Sequence, residues 1–258
     1  MRRTELLLQR LDEIGKSLER KEGALLLLGV GSVGIETERL DDYSDLDFFV
    51  IVKPGYKDRF IDRLDWLEEV RPLAYAFKNS ELGYKILFED GIFGEYAVFE
   101  EEELADASYT EGRVVWKDPL YGNTGIAKPS NPIPSLKKDS LEHPLNEALT
   151  NLYVGLGRYA RGERLSAMRF VQGYAIDRIL SVLHLLEPEA DYDPDPFGNE
   201  RRLEKRFPRF ADIVGDMLQG YDRVPESALR ILEFIEGVYP VNRRLSDEIR
   251  RLAEPACR

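Results

Sequence analysis

The stretch Leu25–Val52, LLLLGVGSVGIETERLDDYSDLDFFVIV, constrains this chain more than any other. Two apolar runs of strand type are separated by a glycine-rich turn and a short polar connector. Gly29 to Gly34 spell G-x-G-x-x-G directly after the first run, which is the spelling of a dinucleotide-binding fingerprint. That fingerprint requires a long apolar crossover helix after the loop and an acidic residue at the far end of the next strand. The segment after Gly34, IETERLDDYS, is too short and too polar to be such a helix. Its acids, Asp45 and Asp47, stand at the head of the next strand instead. The loop also lacks the Gly-Lys-Ser/Thr of a P-loop. Both familiar phosphate loops fail on context.

Asp45 and Asp47 are separated by one residue and lead into FFVIV. In a strand they share a face, with Cα atoms about 6–7 Å apart at ~3.3 Å per residue. Two carboxylates at that spacing can converge on a hard cation such as Mg²⁺, which takes few carboxylates and completes its shell with water and phosphate oxygens. Two charges at the head of an apolar strand call for a neutralising partner. Twelve residues lie between Ser32 and Asp45. A further acid, Glu95, falls in FGEYAVF, where Glu95, Ala97 and Phe99 share one face and Tyr96 and Val98 the other. An isolated D-x-D pair is usually a turn residue and a solvated strand residue. It is the combination of glycine-serine turn, paired aspartates and a third strand acid that favours chemistry.

Strands are expected over Ala24–Leu28, Leu46–Val52, Leu73–Phe77 and Arg113–Trp116, with a helical stripe over Tyr56–Val70. YKILFEDGIFGEYAVF contains two alternating runs joined at Asp90-Gly91, a strong hairpin signal. The Gly-, Pro- and Asn-rich segment 118–136 is the expected linker. Beyond it, four or five helices are expected, breaking near Gly162 and Pro188. The fold class is therefore α+β: a domain with a mixed β-sheet and flanking helices over residues 1–130, followed by a helical bundle over 131–258.

Composition narrows the partners. The net charge of −12 argues against broad nucleic-acid binding. No apolar run approaches a membrane span, and the amphipathic start MRRTELLLQRLDEIG is no signal peptide. A cytoplasmic protein is expected. With one cysteine, Cys257, and two histidines, His143 and His184, any metal should be held by carboxylates.

Gly31-Ser32, Asp45-x-Asp47 and a later strand acid together resemble the DNA polymerase β-like nucleotidyltransferase superfamily. GVGSVG…SDLDFFVIV, KILFEDGIFGEYAVF, NLYVGLGRYARGERLSAMRFVQGYAIDR and GYDRVPESALRILEFIE are more narrowly similar to the lincosamide nucleotidyltransferases of antibiotic resistance. The resemblance implies a two-domain enzyme, often a homodimer, that moves a nucleoside monophosphate from an NTP to a hydroxyl of a small acceptor. Under it Asp45 and Asp47 bind Mg²⁺, with two ions ~3.5–4 Å apart. Gly31 and Ser32 hold the β- and γ-phosphates, and Glu95 is a metal ligand or the base. Many superfamily members carry Asp at that third position. An aminoglycoside acceptor, a protein hydroxyl, or a non-catalytic regulatory module are the competing readings.

Arg169, Arg178, Lys117 and Arg158 are candidate phosphate partners, each of a type more often simply solvated. In LSAMRFVQGYAIDR, Phe170, Tyr174 and Ile176 are expected to pack the bundle, with Arg169 and Gln172 facing water or a ligand. Tyr75, Phe77, Tyr84 and Tyr96 could line an acceptor site, although most strand aromatics are core.

Overall fold

The computed structural model describes residues 2–131 and 133–254; Cys257 lies outside them. The chain forms two compact units that divide between Ile133 and Pro134.

The first unit is built on six strands: β1 (Ala24–Val30), β2 (Leu46–Val52), β3 (Leu73–Ser80), β4 (Gly83–Phe88), β5 (Phe93–Glu100) and β6 (Arg113–Lys117). They form one mixed sheet in the order β3-β4-β5-β2-β1-β6. β2 and β5 run parallel, while the other neighbours are antiparallel. The helices of this unit are α1 (Arg3–Leu18), α2 (Lys57–Asp62), α3 (Asp65–Glu68) and α4 (Glu101–Leu104).

Period-two alternation sorts the strand side chains onto two faces. Leu27, Phe48, Val50, Ile86, Tyr96 and Val98 belong to a core shared with α1, α2 and α3. α1 contributes Leu7, Leu11, Ile14 and Leu18, all fully buried at helical spacing. At ~1.5–3 kcal/mol for each large apolar side chain removed from water, this stripe alone fixes the docking of α1. The opposite face carries Leu26, Leu28, Val30, Ile51 and Phe99, covered by Leu104, Tyr109 and Tyr121.

One charged group is drawn into the first core. Arg10 is 3% exposed. Its guanidinium donates to Asp90 at 2.6 Å and to Glu13 at 3.1 Å, and lies 4.6 Å above the Phe88 ring. Asp90 thus shapes the expected β4–β5 turn and also anchors α1. The Arg10 hydrogen bonds hold its carboxyl below the usual range.

Two expectations change. The stripe over Tyr56–Val70 is two short helices broken at Arg63, whose backbone is extended. The break is stabilised locally: Arg59 donates to both Asp65 oxygens at 2.8 Å, and the Trp66 indole N–H donates to the Phe60 carbonyl at 3.1 Å. The expected linker is also largely folded onto the first unit. Gly112 N–H donates to the Ala127 carbonyl at 2.8 Å, Tyr109 to the Ile126 carbonyl at 2.7 Å, and Tyr121 is buried. Its few apolar residues are what the second face of the sheet needs for cover.

The second unit comprises α5 (Glu142–Ala160), α6 (Arg164–Met168), a π-helical turn (Arg169–Tyr174), α7 (Ala175–Leu180), α8 (Leu203–Arg206), α9 (Pro208–Met217), α10 (Val224–Val238) and α11 (Arg243–Ala253). Leu149, Leu152 and Leu156 of α5 share its core with Ile231, Ile235 and Ile249. Buried Glu187 accepts from the amides of Arg209 and Phe210 at 2.9 and 3.0 Å, satisfying the start of α9. No helix among the described residues is long and apolar enough to cross a membrane.

The Arg59–Asp65–Lys21 network carries a pH signature. Hydrogen bonds from Arg59, opposed by burial and reinforced by Lys21, hold the Asp65 carboxyl at about 2 against an ordinary 3.8. A depressed carboxyl contributes stability above its unfolded value and loses it as pH falls through the folded one. Asp65 is 44% exposed, so solvent screening limits the contribution to about 1 kcal/mol or less. Asp65→Asn should therefore be less stable than the parent at pH 6 by chemical denaturation, with the difference closing between pH 4 and pH 2.

Candidate active site

The glycine-rich turn is a single 3₁₀ turn, Gly31–Val33, at the end of β1, not the start of a crossover helix. The Gly34 N–H closes it onto the Gly31 carbonyl at 3.0 Å. Gly31 has φ +60, where a side chain costs roughly 1–2 kcal/mol. A Cβ built there would stand 3.4 Å from Oδ2 of Asp47, so the turn faces that carboxylate. Gly29 is needed for space: a Cβ there would lie 2.7 Å from the Val33 carbonyl oxygen. Ser32 occupies the middle of the turn, partly exposed.

A basic residue that the sequence did not single out lies behind the turn. Arg113 of β6 is opposite Gly29. Its Nε and Nη2 donate to the Val33 carbonyl at 3.3 and 3.2 Å. This ties the turn to the sheet and sets a cation beside it. Nothing local in RVVWK marks Arg113; its place follows from β6 pairing with β1.

The acids follow from the register of β2. Asp45 immediately precedes the strand, Leu46 is fully buried, and both Asp45 and Asp47 are partly exposed, so the two carboxylates share the less buried face. Asp47 pairs with Val30 on one side and with Glu95 on the other. Glu95 is already engaged. Asn79 donates to its Oε1 at 2.6 Å, and Lys85 lies 3.1 Å from its Oε2. Among the described residues no group of three or more His, Cys, Asp or Glu is arranged to hold a metal ion. The three carboxylates are therefore not a ready-made cluster.

The donor set nonetheless fits Mg²⁺, which needs only one or two carboxylates beside substrate phosphates and water. Asp45 and Asp47 would be those ligands, and Gly31, which has no side chain, faces the Asp47 carboxylate. Glu95 accepts one donor at each oxygen, so each oxygen keeps a lone pair with which it could join as ligand or base.

The other candidates separate. The Lys117 ammonium donates to the Tyr121 carbonyl at 3.2 Å. Arg158 is bound to Ser166 and lies 4.0 Å over the Phe170 ring. Arg169 and Arg178 are exposed on the helical unit. One reading of the π-turn changes. Tyr174 is 45% exposed rather than packed in the bundle, resting edge-on against Phe170 at 5.1 Å. Gln172 is half-buried and also holds a loop: its amide exchanges two solvent-exposed hydrogen bonds with Gly220, at 2.8 and 2.9 Å. The extra backbone residue of a π-turn rotates the side chains that follow it. Of the strand aromatics, Tyr96 is buried and stacks on Phe48 and Tyr84, at 5.4 and 6.0 Å, while Tyr75 and Phe77 are open.

No protein family model matches the chain, and no curated protein matches it. Among solved structures it is similar to an aminoglycoside 6-adenyltransferase from Bacillus subtilis. The identity is 14%, with 95% of this chain and 90% of that chain covered, at a TM-score of 0.33. A likeness at that level carries no argument about residues or chemistry.

If Arg113 holds the turn, Arg113→Met should speed amide exchange at Val33 and Gly34 roughly tenfold, as expected for losing a charged donor. Protection in β1 and β2 should remain. Unchanged exchange at the turn would show that the guanidinium does not hold it.

Proposed function

We propose that the sheet unit is the catalytic half of a Mg²⁺-dependent nucleotidyltransferase. It moves a nucleoside monophosphate from an NTP to a hydroxyl of a small acceptor, such as a lincosamide, and releases pyrophosphate. The observation that carries this reading is the alignment of Asp47 with Glu95 on adjacent strands, with Gly31 of a tight turn facing the Asp47 carboxylate. It agrees with the superfamily resemblance of Gly31-Ser32 and Asp45-x-Asp47.

In this reading Asp45 and Asp47 hold the metal. Bound Mg²⁺ supplies positive charge against the phosphate oxygens of the NTP. The turn brings backbone close to the triphosphate because Gly31 has no side chain, and Ser32 offers a hydroxyl donor. Arg113 keeps the turn in place. Glu95 accepts the proton of the acceptor hydroxyl on a lone pair that Lys85 and Asn79 leave open. The oxygen then attacks the α-phosphorus and the bond to pyrophosphate breaks. The Lys85–Glu95 pair is also the observation that favours a non-catalytic module, since it gives the acid a structural partner.

Incubation with Mg²⁺, each NTP and a panel of hydroxylated antibiotics, read by mass spectrometry, separates the two. A nucleoside monophosphate adduct is expected; no adduct and no pyrophosphate with any acceptor would leave the module reading. Asp47→Asn should abolish transfer, a loss of roughly 10³-fold or more, while the far-UV spectrum stays that of the parent. Glu95→Gln should lower kcat by about 10²-fold with little change in NTP affinity if Glu95 is the base. Loss of metal affinity instead would make it a ligand.

A further inference from the structure

The sheet face that carries the acids also carries open aromatic rings. Register places Phe77 of β3, Lys85 of β4, Glu95 of β5 and Asp47 of β2 in one row. Two residues along the same strands, Tyr75, Leu87 and Phe93 form a second row on that face. Tyr75 is 54%, Phe77 52% and Phe93 36% exposed. Among the described residues, these three are the exposed large apolar side chains of the strands, and all lie on the carboxylate face. On the other face, the Tyr96 ring stacks on both Phe48 and Tyr84 against the core.

We propose that the Tyr75, Phe77 and Phe93 rings form the acceptor platform. A small polyol with an apolar face lies on the rings and presents its reacting hydroxyl to Glu95. This rests on the nucleotidyl-transfer reading and specifies where, and by what, the acceptor is held. The occupant follows from two features. Continuity along the row from Phe77 to Asp47 puts a molecule on the rings within reach of the reacting edge. Charge then selects its class. Lys85 neutralises Glu95 at 3.1 Å, so the ring-bearing part of the face offers apolar contact and no surplus negative charge. An uncharged or singly charged acceptor fits it, and a polycation meets the Lys85 ammonium.

The test uses the full chain, with lincomycin as the apolar-faced probe and kanamycin as the polycationic one. Calorimetry compares the parent with Tyr75→Ser, Phe77→Ser and the control Tyr43→Ser, which removes a ring 95% exposed in the connector before β2. All three side chains are open to solvent, so each variant should keep the parent melting temperature. Lincomycin should bind the parent more tightly than kanamycin does. Tyr75→Ser and Phe77→Ser should each weaken lincomycin roughly fivefold or more and raise its KM, with the NTP constants unchanged. Tyr43→Ser should change nothing. The platform is overturned if lincomycin does not bind, if the two variants bind it like the parent, or if kanamycin binds more tightly. It is also overturned if the parent is a dimer by light scattering and Phe77→Ser a monomer, because a second copy then covers the rings. Lincomycin binding that responds to both variants, without pyrophosphate release from any NTP, would sink the transferase reading and leave the platform. Transfer to lincomycin that ignores both variants would do the reverse.

Discussion

The first unit depends on one register, that of β2 against β5. These central strands run parallel, and every residue from Leu46 to Val52 has a partner from Gly94 to Glu100. A slip of one residue would carry Phe48 and Val50 out of the core and push Asp47 into it. Burying that carboxylate without a partner would cost several kcal/mol, as would exposing the two apolar side chains. The hydrophobic alternation of LDFFVIV therefore places the acid as firmly as it places the core. Asp47 and Glu95 stand side by side because Phe48 and Tyr96 stack beneath them at 5.4 Å.

The two faces of the sheet divide the work. The α1 face is sealed by large apolar residues and gives the sheet its rigidity. The other is sealed only at one end, where Leu104, Tyr109 and Tyr121 cover Leu28 and Ile51. Towards Asp47, Glu95 and Lys85 it is open. A rigid sheet with one half-open face is a suitable base for charged groups, because strand positions hold side chains more closely than loops do. The turn after β1 gains the same rigidity indirectly, from close packing at Gly29 and the Arg113 hydrogen bonds.

What could be read beforehand was what local pattern controls. The alternation of LDFFVIV and FGEYAVF sets which face Asp47 and Glu95 occupy, and Asp90-Gly91 marks its own turn. The polar gap after Gly34 rules out a crossover helix, and it holds a single short 3₁₀ turn, Thr37–Arg39. What could not be read depends on strand order. Lys85 and Asn79 reach Glu95 because β4 and β3 lie beyond β5, and Arg113 reaches the turn because β6 lies beside β1. The folding of residues 118–131 onto the sheet is also tertiary, while the break at Arg63 rests on side-chain contacts six residues apart. Each is held by contacts, such as Gly112 to Ala127 and Trp66 to Phe60, that no hydrophobic periodicity announces.

The Arg10–Asp90 contact joins residues 80 positions apart. Glu13 of the same helix meets only the Nε of Arg10, and the Nη groups find their carboxylate in Asp90 of the β4–β5 turn. A buried guanidinium with half its donors unmatched is costly, so the seat of α1 and the closure of that turn are coupled. A change that loosens the hairpin is therefore felt at the opposite end of the unit's chain, in the helix that begins it.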